Sequence, residues 1–543
     1  MKGYYKYADD VYTGKQIACR YVQLAVMRFY AFLQRDDIEF KEDTVDLNIA
    51  FFRLFKHFKN RHSGKIFVLE PWQEFIIAGI FGFYYKETGK RVVQDVYIEI
   101  ARKNGKSAFA AAVSLLLLIA DGVSGAEVDL VANSREQALI SFEFAKKFAL
   151  GLNTQSKKHI RPYRDRLFFD KTSSKMHVFA SDASKLDGYG ASAFLIDEYH
   201  EAKNTALRDV LQSSQADREN PLGIIITTAG FDRTGPCYTY RSICTDILEG
   251  LDATNEATDS IFCIIYTQDS EDELDDPQMW VKSNPNLGVT VQNSFLKKEI
   301  SRSKTDPHSE VGIKTKNFNI WMDSQETWIP EIYIKQATHT HKLLDFYNAK
   351  EEWDVFVGID LSATSDLTAV SYMIPRPDKL YYWIEYYLPE EALRIKPLKD
   401  LYKQWYKGGY LVLTPGNVVD YEYILADIRR KEDAGLYMAR VSYDSWNATQ
   451  FVIRATEEGL PMVSYAQNIS SFTRPTKELE RRILQGSAVF YANPITRFCF
   501  RNVRMRIDHN GNQKPDKSQA DNKIDGVIAA IEALGGYLEH EQL

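Results

Sequence analysis

Val96–Ser107, VYIEIARKNGKS, decides the reading of this chain. It begins as an apolar strand and runs into a turn that closes on Asn104-Gly105-Lys106-Ser107. A tight turn between a buried strand and a helix presents backbone N–H groups and the positive end of a helix dipole to a phosphate. The lysine adds charge and the hydroxyl a ligand for Mg²⁺. The helix expected next, Ala108–Ala120, begins with small residues (Ala108, Ala110, Ala111, Ala112) that allow a close approach to the loop. The full phosphate-loop pattern carries a glycine where Ile100 stands, so the motif needs support from elsewhere.

That support comes from two more buried strands. Ala193–Glu198, AFLIDE, ends in two carboxylates, and Ile224–Gly230, IIITTAG, ends in hydroxyls and a glycine. In a nucleotide site Asn104, Gly105 and Lys106 would cradle the phosphates, and Ser107 and Asp197 would position Mg²⁺. Glu198 would polarise the attacking water and Thr228 would sense the γ-phosphate. Arg102 lies inside the loop, either reaching the γ-phosphate or standing as a solvated charge. Pro71-Trp72-Gln73 suits a helix start with a packed tryptophan, although a glutamine amide can also make paired hydrogen bonds to an adenine edge.

A second acidic constellation follows in the last third. Val355–Ile374, VFVGIDLSATSDLTAVSYMI, reads as a hairpin with Asp360 ending its first strand and Asp366 starting its second. The strand Ala439–Tyr443 runs into Asp444, and Asp525 opens an apolar helix, IDGVIAAIEALGGYL. A carboxylate emerging from buried structure is costly unless paired or bound to metal. Asp360, Asp444 and Asp525, gathered in an RNase H-like sheet, would hold two Mg²⁺ or Mn²⁺ ions for hydrolysis of a phosphodiester. Taken singly, Asp525 and Asp521 also suit a helix N-terminus, and Asp444 suits a turn.

The 543 residues exceed what one core supports. The expected organisation is a helical segment over 1–60 and an ATPase domain over 61–322. A linker over 323–350, beginning DSQETWIP, then leads to a nuclease domain over 351–543. The fold class is α/β: a P-loop domain with a parallel sheet flanked by helices, then an RNase H-like domain. Helices are expected at Ala18–Leu33, Val45–Phe58 and Leu296–Thr315.

At 45% hydrophobic and 26% charged the composition is that of an ordinary globular protein. Five cysteines without metal-ligand spacing fit a reducing cytoplasm. No apolar run suffices for a bilayer, so no membrane is expected. A net charge of −7 argues against a protein coated in nucleic acid. Yet Arg474–Lys523 holds eleven Lys and Arg against five Asp and Glu. That is either a solvated face or a phosphate contact that includes Arg497, Arg501, Arg504 and Arg506.

Together these motifs resemble the large terminase subunits of tailed phages. ARKNGKS is similar to that family's variant phosphate loop, in which an arginine precedes Gly-Lys-Ser and the first glycine is commonly absent. PWQ is similar to its adenine-contacting motif, which supports Gln73. LIDE matches the metal carboxylate and catalytic glutamate, and TTAG (Thr227–Gly230) the motif coupling hydrolysis to DNA movement. Further similar blocks are WVKSNPNLG (Trp280–Gly288), FNIWMDSQETWI (Phe318–Ile329), TPGNVVDY (Thr414–Tyr421), VSYDSWNA and KIDGVIAAIEA.

The resemblance implies an ATP-driven motor that moves double-stranded viral DNA into a procapsid. It also implies a metal-dependent endonuclease built from Asp360, Asp444 and Asp525, with Asp366 auxiliary. The implied partners are a portal protein, a small terminase subunit and further copies in a ring of five. The implied place is the host cytoplasm, transiently on the procapsid and not the mature virion. The arginine such motors extend to a neighbour is not evident upstream of LIDE, where Ser184–Gly188 lacks one, and Arg135 is an alternative on chain position. A helicase–nuclease of a defence or repair system needs the same two sites, but also further helicase motifs after Gly230. A non-catalytic DNA-binding scaffold would leave the acidic residues structural.

Overall fold

The computed structural model describes the chain except residues 60–62, 153–157, 181–189, 234, 251–255, 323–327, 347–352, 363–366, 395–398, 445–448, 509–510, 518–522 and 542–543. Two compact units emerge. The first holds Met1–Thr305 and Gly312–Met322; the second holds Asp306–Val311 and Asp323–Leu543.

The first unit is built on a sheet of eight described strands. Its order is Ile261–Ile265, Asp95–Glu99, Leu222–Thr227, Ala193–Asp197, Glu127–Ala132, Ser174–Ala180, Arg166–Phe169, Ile160–Pro162. The first six run parallel, Arg166–Phe169 is antiparallel to Ser174–Ala180, and Ile160–Pro162 is antiparallel to Arg166–Phe169. The three central motif strands are therefore neighbours, and their carboxyl ends open to one side, where ligands of such sheets bind. Val96, Tyr97, Ile98, Leu195, Ile224 and Ile225 are buried, as expected for strands covered on both faces.

Two boundaries differ from expectation. The third N-terminal helix stops at Phe52, and the strand Ile38–Phe40 before it pairs with Phe83–Tyr85. The segment read as one helix over Leu296–Thr315 is two, Asn293–Thr305 and Pro307–Phe318. Pro307 cannot continue the first, so it starts the second.

In the second unit the strand order is Thr338–His339, Ala488–Tyr491, Leu380–Pro389, Thr368–Pro375, Asp354–Asp360, Tyr437–Tyr443, Met462–Ser464. Leu380–Pro389, Thr368–Pro375 and Asp354–Asp360 form an antiparallel meander. Tyr437–Tyr443 then pairs parallel with Asp354–Asp360, and Met462–Ser464 parallel with Tyr437–Tyr443. This is the mixed sheet expected of an RNase H-like domain.

The helix Asp525–His540 lies across it. The helix is mostly apolar and is buried from Gly526 to Gly536, Glu532 included. Gly358 lets helix and strand approach this closely. A Cβ there would stand 2.0 Å from the Ala529 carbonyl oxygen and 2.6 Å from the Ala533 nitrogen. No helix among the described residues is long and apolar enough to cross a membrane, and all five cysteines are buried and free.

Candidate functional site

At the carboxyl ends of the central strands of the first unit lies a cavity of about 760 Å³. Gln73, Arg102, Gly105, Lys106, Ser107, Asp197 and Glu198 line it. Gly105 adopts φ +86° immediately before the helix Lys106–Ile119, a conformation that glycine reaches without strain.

The loop lacks the usual first glycine, and asparagines brace it instead. The Asn104 amide donates to the carbonyls of Ala101 (3.1 Å) and Arg102 (3.3 Å) and to Asn284 Oδ1 (2.9 Å). Asn104 Oδ1 accepts from the Asn286 N–H, and Asn286 Nδ2 donates to the Asn104 carbonyl. Asn104 was expected to touch nucleotide. Its side chain is fully buried and braces the loop, whose backbone N–H groups are the ones such a turn presents to a phosphate. Trp72 donates its indole N–H to Asn286 Oδ1 at 2.9 Å, which ties the PWQ helix to the same brace.

Gln73 does line the cavity, but its Oε1 accepts the Glu70 N–H at 3.0 Å. That bond uses one of the two acceptor positions of Oε1 and leaves the other and the amide N–H groups for an adenine edge.

Lys106 Nζ lies 3.7 Å from Glu198 Oε1. Burial lowers the lysine pKa, with Glu198 and Asp197 opposing. Burial also raises the Asp197 carboxyl, to about 6, with the Glu198 charge adding to it. Asp197 Oδ2 accepts from Ser141 Oγ at 2.8 Å, while the buried Oδ1 has no hydrogen-bond partner among the described residues. For Glu198 burial pushes upward, but the charges of Lys106 and Arg102 outweigh it and hold the carboxyl below its ordinary value. Glu198 therefore stays ionised at neutral pH.

Its backbone sits at φ +55°, a left-handed conformation costing on the order of 1–3 kcal/mol for a side-chain-bearing residue. Asn133 Nδ2 on the Glu198 carbonyl (3.0 Å) and the Glu198 N–H on Ile226 O (3.1 Å) hold it there. Thr228 was expected to sense phosphate. It is buried, and its hydroxyl lies 3.3 Å from His200 Nδ1. Burial lowers the His200 pKa to about 4, so the ring is neutral at pH 7. Arg135 pairs with Asp165 at 2.6 Å.

In the second unit Asp360 ends its strand, buried, and Lys517 Nζ donates to both its oxygens at 2.7 Å. Gln467 Nε2 lies 3.4 Å from Asp360 Oδ1 and donates to Glu532 Oε1 at 2.9 Å. Burial, then the Asp360 charge, raise Asp525 to about 7 and push Glu532 well above the carboxylate range. The charge of Asp444 also acts on Glu532. Asp366 lies outside the described residues.

Among the described residues no three acidic, histidine or cysteine side chains come together tightly enough to hold one ion. Lys517 occupies the Asp360 carboxylate, and the acids around it repel one another. The donors still suit a hard cation: Asp525 Oδ2 and Glu532 Oε2 are buried oxygens without a hydrogen-bond partner.

Lys517, Gln467, Glu532, His200 and the Asn284/Asn286 brace all escaped the sequence reading. Glu532 alone left a signal, since it stands seven residues after Asp525 and so on the same helix face. Of the four arginines expected to form a basic patch, only Arg506 is exposed; Arg497, Arg501 and Arg504 are half-buried.

Comparison with known proteins assigns both units. Residues 71–245 match the family model of the terminase large subunit, ATPase domain, and residues 255–541 that of the terminase large subunit, endonuclease domain. The protein YmfN of Escherichia coli (strain K12) is 30% identical over 369 residues, covering 66% of this chain and 79% of YmfN. The terminase large subunit of Enterobacteria phage HK97 is 26% identical over 477 residues, 86% of this chain and 90% of that protein. The crystal structure of the HK97 large terminase aligns with a TM-score of 0.44 at 24% identity, covering 91% and 99%. The chain belongs to the terminase large-subunit family: it is an ATPase and endonuclease of phage DNA packaging that uses ATP and a divalent metal.

Proposed function

We propose that ATP hydrolysis at the Lys106–Glu198 site drives double-stranded DNA through a portal into a procapsid, and that the acidic site around Asp360 cuts the concatemer at the start and end of packaging. The observation that carries the motor reading is the single cavity onto which Lys106, Ser107, Asp197 and Glu198 converge. Lys106 neutralises β/γ-phosphate charge, Arg102 meets the γ-phosphate, and Glu198, held ionised beside Lys106, polarises the attacking water.

Ser107 and the free Asp197 Oδ1 are the groups that would hold Mg²⁺, which supplies charge neutralisation between the phosphates when bound. Asp360, Asp444, Asp525 and the auxiliary Asp366 would hold the nuclease ions, two Mg²⁺ or Mn²⁺, supplying an activated water and a stabilised leaving oxygen. The partners are double-stranded viral DNA, a portal protein, a small terminase subunit and four further copies in a ring. The setting is the host cytoplasm, transiently on the procapsid.

The test is packaging of DNA into purified procapsids by wild type, Glu198→Gln and Asp360→Asn. Wild type should protect DNA from external nuclease. Glu198→Gln should protect none, and Asp360→Asn should fill heads with DNA supplied already cut but not with concatemers. Filling of heads by Glu198→Gln would sink the motor assignment. Concatemer cutting by Asp360→Asn would sink the nuclease one.

A further inference from the structure

His200 stands between the catalytic strand end and the TTAG strand end. Its Nδ1 lies 3.2 Å from Glu198 Oε2, 3.1 Å from Thr227 Oγ1 and 3.3 Å from Thr228 Oγ1. Its backbone N–H donates to the same Thr227 hydroxyl at 3.1 Å. The ring is 7% exposed and Thr227 fully buried, so water does not replace these partners.

The next two residues of the TTAG strand end reach another segment. The Ala229 N–H donates to Asn319 Oδ1 at 2.6 Å, and the Gly230 carbonyl accepts the Met322 N–H at 3.2 Å. Asn319 in turn sits at φ +56°, with its amide on the Tyr266 carbonyl (2.6 Å) and on Glu99 Oε1 (3.3 Å). Met322 is the last residue of the first unit.

We propose that His200 is a positioning residue: it holds the Glu198 carboxylate and passes its position through Thr227–Gly230 to Asn319–Met322, the point where the chain leaves the ATPase unit. Nδ1 carries at most one proton and faces three oxygens, so it serves the carboxylate or a threonine hydroxyl but not all at once. Here Nδ1 is hydrogen-bonded to the threonine hydroxyls, while Glu198 Oε2, 3.2 Å away, has no hydrogen-bond partner among the described residues; when Nδ1 takes up the carboxylate, the threonine bonds are released. The Ala229 and Gly230 bonds then carry that exchange to Asn319 and Met322, a contiguous route of the kind that links two sites. This inference rests on the reading of Glu198 as the water-polarising group.

The experiment uses the full chain as wild type, Glu198→Gln, His200→Ala and His200→Asn. ATP turnover is resolved into kcat and KM, and amide hydrogen exchange at 229–230 and 319–322 is compared between ADP and a non-hydrolysable ATP analogue. With Glu198 mispositioned, His200→Ala should lose about a hundredfold in kcat, with KM for ATP little changed. It should also lose the nucleotide dependence of exchange while still binding nucleotide. His200→Asn, which returns an amide group near the Nδ1 position, should recover part of both.

Wild-type kcat and exchange in His200→Ala, beside an inactive Glu198→Gln, would overturn the role of His200 and leave that of Glu198 intact. An active Glu198→Gln would overturn the reading beneath it. Should His200→Ala fail to fold, His200→Asn decides: exchange without nucleotide dependence at wild-type kcat separates positioning from transmission and overturns the coupled proposal.

Discussion

Both acidic sites of this protein hang carboxylates from the carboxyl end of a central strand, yet they solve the problem of buried charge in opposite ways. In the ATPase unit the countercharge is Lys106, itself a wall of the ligand cavity, and Glu198 is held below its ordinary pKa. In the nuclease unit the countercharge is Lys517, donating to both oxygens of Asp360, while burial drives Asp525 to about 7 and Glu532 higher. One site is charged and open toward its substrate. The other holds an internal ammonium on Asp360 beside buried acids pushed toward protonation, and an arriving cation must compete with that ammonium and with protons. The lesson is that two sites with similar residue types can differ in what completes them: a nucleotide for the first, a metal for the second.

The sharpest way to break this comparison is to remove Glu198. Glu198→Gln should lower ATP turnover about a thousandfold, as loss of a general base does, and leave plasmid cleavage by the same protein unaltered. Asp360→Asn should do the reverse, abolishing plasmid cleavage with Mg²⁺ or Mn²⁺ while ATP turnover stays at the wild-type rate. Loss of both activities in either variant would show the sites to be dependent.

Gln467→Ala should have a smaller effect, since it removes only the amide that bridges Glu532 toward Asp360. A loss of about tenfold in cleavage or in Mn²⁺ affinity, measured by calorimetry, is expected for a group acting through the metal-facing carboxylates. An unchanged affinity would place Glu532 outside the centre.

The smallest effect concerns stability. Burial lowers His339 to about 4, with the nearby His341 contributing. The unfolded chain takes up this proton near pH 6.5, so the stability the neutral ring contributes is complete above that pH and is lost as pH falls toward 4. The thermal midpoint of the metal-free protein should fall between pH 7 and 5, and less steeply in His339→Phe; equal slopes would remove His339 as the cause.

What could be read in the chain was contiguous. A buried strand followed by Gly-Lys-Ser, LIDE, TTAG and the Asp360 hairpin each announce themselves within a dozen residues, and sheet order then makes the first three neighbours. Contacts made across long separations were silent. Asn284 and Asn286 brace the phosphate loop from about 180 residues away, and Lys517 reaches Asp360 across 157. Neither side chain differs in type from hundreds that sit in solvent. Glu532 reads as the polar face of its helix and is buried only because that helix is covered all round. His200, two residues past Glu198, was close enough in sequence to be noticed, but its meaning depends on the threonines it faces.

At Gly358 the strand of Asp360 and the helix of Asp525 meet main chain to main chain. The separation of those two acids is therefore gauged by backbone thickness and not by the bulk of any side chain between them. A single methyl at 358 acts as a wedge between them. A screen for cleavage-deficient variants should accordingly recover position 358 alongside the acids themselves, from protein in which every carboxylate is still present.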